Sequence, residues 1–193
     1  MGETTAPAGA ERATGRDILV VDDNPTNLMV IGRRLSRLGF CTMLCSDGPA
    51  ALDLLQSRAF DLVLLDMKLR GVSGLATLRE IRATPRTADI PVLMMTARSD
   101  SGGAVAALAE GADDHVAKPF DFDVLAARID RLLIRARTVS ELRRTNATLD
   151  ARITDRAMEL GEIRSLLDEA LADRARLAAS LSAMEHQMRQ VAL

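Results

Sequence analysis

Apolar residues in this chain come in short unbroken runs, and each run ends in a polar residue. Residues 18–21 (ILVV) lead into Asp22 and Asp23, and residues 62–65 (LVLL) into Asp66. Residues 91–95 (PVLMM) lead into Thr96, and residues 115–117 (HVA) into Lys118. Such runs, bounded by turn residues, mark strands buried on both faces of a parallel sheet. A further strand is expected over residues 40–45. Between the runs the apolar period becomes helical. Leu28, Ile31, Leu35 and Leu38 follow Asn24-Pro25, a good helix start, and Gly39 stops that helix. Ala51, Leu52 and Leu55 fall in a helix over 49–58, and Leu75, Leu78 and Ile81 in one over 74–83. A small-residue helix over 104–110 is closed by Gly111. Asp121 is placed to cap a fifth helix, with Phe120 and Leu125 spaced as a hydrophobic staple and Ile129 and Leu132 following toward the sheet.

Five strands alternating with five helices predict an α/β fold, a doubly wound parallel sheet with strand order 2-1-3-4-5. In that order the ends of strands one and three flank the switch point where ligands bind. Asp22, Asp23 and Asp66 would meet there, with Thr96 and Lys118 on the next strands out. An Asp at a strand end can also simply cap the next turn. Five polar residues on one edge are more than core packing alone produces. Three converging carboxylates repel, and one or more takes up a proton unless a cation compensates. Oxygen-only ligands of this kind suit a hard divalent ion such as Mg²⁺. A carboxylate nucleophile beside such an ion, a lysine and a hydroxyl describes a site that accepts a phosphoryl group.

Four motifs carry a family resemblance: VVDDNPTN at residues 20–27, LVLLDMKLRGVSG at 62–74, LMMTA at 93–97 and GADDHVAKPFD at 111–121. In this order and spacing, residues 16–137 resemble the receiver domain of two-component response regulators, a flavodoxin-like fold. The resemblance implies that Asp66 is the phospho-acceptor and that Asp22, Asp23, Asp66 and the main-chain carbonyl of Lys68 hold Mg²⁺ or Mn²⁺. It also implies Thr96 as the switch hydroxyl, Lys118 as the phosphate-contacting lysine, and a sensor histidine kinase or phosphotransfer protein as phosphodonor.

The chain departs from the family pattern at two positions. Arg70 stands where the loop after Asp66 usually carries proline, which loosens the turn and brings a guanidinium near the site. His115 stands where the switch residue is usually aromatic, and an imidazole titrates near neutrality. Lys68 and Arg98, two residues beyond Asp66 and Thr96, either shield an acyl phosphate or point into solvent.

From Asp121 onward there is no proline and the only glycine is Gly161. A heptad runs from Val139, with a positions Val139, Asn146, Ile153, Leu160, Leu167, Arg174, Leu181 and Met188. The d positions are Leu142, Leu149, Arg156, Ile163, Ala170, Leu177, Met184 and Val191. Only Asn146, Arg156 and Arg174 interrupt this apolar seam, so residues 138–193 are expected to form a coiled coil. Asn146 at an a position favours a parallel homodimer, and Glu159 can pair with Arg164 across it. An antiparallel hairpin broken near Gly161, or pairing with another protein's helix, remains open. His186 lacks the flanking residues of a kinase phospho-acceptor helix and reads as a solvated surface histidine.

Composition narrows the function further. The 25 basic and 27 acidic residues nearly cancel, and residues 121–193 hold 12 arginines against 12 acids. No helix-turn-helix follows the receiver-like segment, so nucleic acid is not expected as a partner. No apolar run approaches the ~20 residues that span a bilayer, so no membrane partner is expected. Cys41 and Cys45, about 13 Å apart along a strand, cannot bridge each other. Two free thiols without a signal peptide fit a cytoplasmic protein. Residues 1–15 lack apolar periodicity and are expected to be a disordered tail. The chain reads as a response regulator whose output is its own dimeric coil or a downstream protein partner, with no separate enzyme. Two alternatives stand beside it: the regulatory fragment of a larger enzyme (a cyclic-di-GMP synthase, phosphodiesterase or kinase), and a phosphate sink or shuttle.

Overall fold

Strands β1 (Asp17–Val21), β2 (Cys41–Cys45), β3 (Leu62–Asp66), β4 (Val92–Ala97) and β5 (Asp114–Lys118) alternate with five helices. The helices are α1 (Pro25–Arg37), α2 (Gly48–Ser57), α3 (Gly74–Ala83), α4 (Ser101–Ala109) and α5 (Phe122–Val191). The computed structural model describes residues 16–98 and 100–191. The tail expected over residues 1–15 lies outside the described residues. The strands form one parallel sheet in the order β2-β1-β3-β4-β5, as the alternation predicts.

Strand alternation divides each apolar run between two cores. Ile18, Val20, Leu62, Leu64, Leu93, Met95 and Val116 pack with Leu28, Ile31 and Leu35 of α1 and Leu125, Ile129 and Leu132 of α5. Leu19, Val21, Val63, Leu65, Val92 and Met94 pack on the other face with residues of α2, α3 and α4, among them Leu55, Leu78, Ile81 and Ala107. Helices therefore cover both faces, and only the strand ends remain for chemistry.

Several boundaries move by a few residues, each for a local reason. Phe40 is not in β2: its N–H closes the end of α1 on the Leu35 carbonyl, and its ring is buried. Asp47 caps α2 by accepting from the Ala50 N–H at 2.8 Å, so the helix starts at Gly48. Asp100 caps α4 in the same way through Gly103, at 2.7 Å. β5 begins at Asp114 because its buried carboxylate meets Arg128 at 2.6 Å and Arg131 at 3.3 Å on α5. The cap of α5 matches expectation, with Asp121 Oδ1 accepting from the N–H groups of Asp123 and Val124.

Two compact units divide the chain, one ending at Val139 and the other beginning at Ser140. In the second unit the seam residues are bare: Leu142, Leu149, Ile153, Leu160, Ile163, Leu167, Leu177 and Leu181 are each 48–67% exposed. No helix among the described residues is long and apolar enough to cross a membrane. Cys41 is exposed, Cys45 is buried, and both are free thiols.

Arg82 ties the base of the first unit together. Its guanidinium donates to the carbonyls of Ala88, Ile90 and Gly111 and to the Asp113 carboxylate, at 2.8–3.0 Å. These bonds pin α3 to the loops that enter β4 and β5. Arg82→Ala strands those acceptors and is expected to cost about 2–4 kcal/mol, read by urea denaturation. A loss below about 0.5 kcal/mol would place the hold elsewhere.

Candidate functional site

The strand ends bring five side chains of the sequence prediction to one edge of the sheet. Asp22 and Asp23 follow β1 directly, Asp66 and Lys118 close β3 and β5, and Thr96 lies one residue from the end of β4. Asp22, Asp66 and Thr96 are buried, whereas Asp23 is half-buried. Carboxylate oxygens from Asp22, Asp23 and Asp66 all lie within 4.8 Å of one another.

Lys118 is the cation that this convergence demands. Its Nζ lies 2.6 Å from Asp22 Oδ2 and 3.0 Å from Asp66 Oδ1, bridging the two buried carboxylates. Asp22 is held further by the Asn24 N–H, which donates to Oδ1 at 2.9 Å, and by Asn27 Nδ2, 3.2 Å from each carboxylate oxygen. Sequence reasoning assigned Asn27 no role. Its signal was its place on α1, five residues beyond Asp22, where the first helical turn brings its amide back over the strand end. Asp23 is met instead by Arg70, whose Nε lies 3.2 Å from Oδ2.

The loop after β3 is fixed by close backbone packing. A Cβ on Gly74 would fall 1.9 Å from the Asp66 carbonyl oxygen, and the Gly74 N–H donates to Met67 at 3.1 Å. Gly71 takes φ +78°, a turn conformation that favours glycine. The Lys68 side chain is exposed, while its backbone hydrogen-bonds to the Asp66 carboxylate. Arg98 is exposed as well.

Alternation places Thr96 and His115 on the same face of adjacent strands, with Thr96 opposite Ala117 and His115 opposite Met94. His115 is half-buried, and its Nδ1 is buried without a hydrogen-bond partner in the structure. The side chain of His186 lies outside the described residues.

Residues 18–130 match the family profile of the response regulator receiver domain. The chain belongs to that family. Its receiver is 40% identical over 123 residues to the transcriptional regulatory protein ZraR of Escherichia coli, covering 64% of this chain and 27% of that protein. It is 39% identical over 135 residues to the transcriptional activator protein IrlR of Burkholderia pseudomallei, covering 69% of this chain and 58% of that one. The chain thus spans only about a quarter to three-fifths of the length of these relatives. Among solved structures, the receiver domain of NtrX from Brucella abortus is 37% identical with a TM-score of 0.58, covering 61% of this chain and 98% of that one. The receiver domain of the sensor histidine kinase PA1611 from Pseudomonas aeruginosa is 33% identical with a TM-score of 0.58, covering 62% and 98%. That structure has a magnesium ion coordinated in its active site cleft. Membership makes this chain a two-component receiver.

Burial raises the Asp66 carboxyl above its ordinary range. The Lys118 hydrogen bond and charge pull it back down, Asp22 pushes it up, and the Lys68 backbone hydrogen bond lowers it. A carboxyl raised on folding binds its proton more tightly when folded, so its ionisation costs stability above the folded pKa. That cost fades as pH falls through the folded pKa. In a metal-free buffer, Asp66→Asn should therefore raise the melting temperature at neutral pH, and the gap should narrow on acidification. Thermal melts with chelator across pH check this, and a gap that widens toward acid would contradict it.

Proposed function

We propose that this receiver accepts a phosphoryl group on Asp66 and passes the change to its C-terminal helix. The observation that carries the reading is the convergence of three carboxylates with Lys118 bridging two of them. The donor set is all oxygen and crowded with negative charge, which fits a divalent cation. Asp22, Asp23, Asp66 and the Lys68 carbonyl would hold it, with Mg²⁺ favoured by the PA1611 receiver and Mn²⁺ chemically similar. When bound, the ion supplies positive charge to the phosphoryl oxygens as they approach three carboxylates.

The chain's own residues do the rest. A carboxylate oxygen of Asp66 attacks phosphorus in line, and the phosphorus–nitrogen bond to the donor histidine breaks, its electron pair staying on the imidazole. Lys118, now facing Asp22 and Asp66, stabilises negative charge on the transferred group. The Thr96 hydroxyl stands on the next strand to hydrogen-bond it. The sheet edge and buried walls hold these groups in place before the donor arrives. Asp66→Asn should abolish labelling by a small-molecule phosphodonor, followed by mass spectrometry. Label that persists would remove Asp66 from this role.

For the output, β5 carries Lys118 at one end and the Asp114 clamp on Arg128 and Arg131 of α5 at the other. A phosphoryl group drawing Lys118 toward it thereby loads the strand bound to the root of α5. The second unit's exposed seam supports a parallel, in-register homodimer. In that arrangement each g position meets the partner's e position five residues on. Leu166 then meets the partner's Leu171, Glu159 meets the partner's Arg164, and Asp173 lies beside the partner's Arg174. Leu166 and Leu171 are 65% and 49% exposed in the single chain, so their burial is available to a second copy. Leu166→Glu should weaken the dimer about tenfold or more, as analytical ultracentrifugation reads it. An unchanged association constant would rule out this pairing.

The fraction of each relative that the chain spans favours a second reading, in which it regulates a further output region. The relatives' names are transcriptional, so the balanced charge of residues 121–193 argues against nucleic acid only for those residues.

A further inference from the structure

Asp22 and Asp23 are adjacent in sequence but keep different electrostatic company. Asp22 is wholly buried, and its partners Lys118, Asn24 and Asn27 are built into the fold. The Asp23 side chain is 23% exposed at the mouth of the site, and its cation is Arg70, 3.2 Å away. The Arg70 side chain is 87% exposed. Almost nothing packs it there, so the Asp23 charge is what draws the guanidinium inward. Arg70 also sits in the β3–α3 loop directly before Gly71, on the same loop as Lys68.

Three carboxylates facing Lys118 alone leave a net charge of about −2, and Arg70 reduces this to about −1, so an entering divalent ion meets a weaker field. The ion and the guanidinium also compete for the same carboxylate. We infer that Arg70 is a displaceable counterion of Asp23: it occupies the carboxylate in the metal-free receiver and is expelled when a divalent cation takes Asp23. Arg70 thereby weakens metal binding and couples metal entry to release of the β3–α3 loop. The inference rests on the reading of Asp23 as a metal ligand.

The pair is exposed, so its effect is modest and sensitive to salt. Calorimetric Mg²⁺ titrations of the full chain test it at low and high ionic strength. Arg70→Gln should tighten Mg²⁺ binding about two- to fivefold at low ionic strength, and the gap should close at high salt. Arg70→Lys, which keeps the charge, should stay near the parent. Asp23→Asn should weaken Mg²⁺ binding, and in that background Arg70→Gln should give little further change. Circular dichroism melts of each variant check that folding is intact. If Asp23→Asn weakens binding but Arg70→Gln leaves it equal or weaker, the counterion role is overturned while the metal reading stands. If Asp23→Asn leaves Mg²⁺ binding unchanged, Asp23 is no metal ligand and both fall together.

Discussion

Three carboxylates forced within 4.8 Å of one another are the constraint that shapes this receiver. Two unit charges about 4 Å apart repel by roughly 4 kcal/mol at the effective dielectric of a protein surface. Such a cluster survives only beside cations, and two side chains supply them in different ways. Lys118 reaches between Asp22 and Asp66 from a neighbouring part of the sheet, at the end of a strand fixed by its own ladder. Arg70 comes from a solvent-facing loop and holds the third carboxylate from outside. The inner pair is part of the scaffold, and the outer one is free to exchange.

The scaffold around the site serves that convergence. A parallel sheet with β1 and β3 side by side places the ends of both strands on one edge, and helices on both faces leave that edge as the open ground. Gly74 lets the chain turn back against the Asp66 carbonyl where any side chain would collide with it. Arg82 fastens the opposite end, where the loops enter β4 and β5. The same strand that ends in Lys118 begins at Asp114, whose carboxylate grips two arginines of α5. Lys118 and the clamp on the root of the long helix thus sit at the two ends of one five-residue strand. His115, between them, has a buried nitrogen with no hydrogen-bond partner in the structure, a polar position where an aromatic ring would leave none.

Much of this was legible in the residues. Unbroken apolar runs ending in Asp22, Asp66, Thr96 and Lys118 announced buried parallel strands, because a strand covered on both faces has no need of polar alternation. The heptad after Val139 was equally plain, since a stripe of that length has few uses other than burial against another helix. Boundaries were less so. Asp114 looked like loop because a charged residue is out of place in a buried strand until Arg128 and Arg131 arrive from α5. Asn27 looked like an ordinary polar residue in a helix, and only the path from β1 to α1 shows its amide covering Asp22.

The division between the two sources is one of range. Sequence by itself determined the alternation of elements, the polar residue that ends each apolar run and the apolar seam of the long helix, because each follows from local periodicity and from punctuation a few residues away. The strand order followed from that alternation only through the general rules of parallel-sheet topology. Tertiary structure alone decided which cation serves which carboxylate: Lys118 for Asp22 across 96 residues, Arg70 for Asp23, and the arginines of α5 for Asp114. Coulomb interactions depend on distance in space, and no spacing along the chain records where long, flexible side chains come to rest.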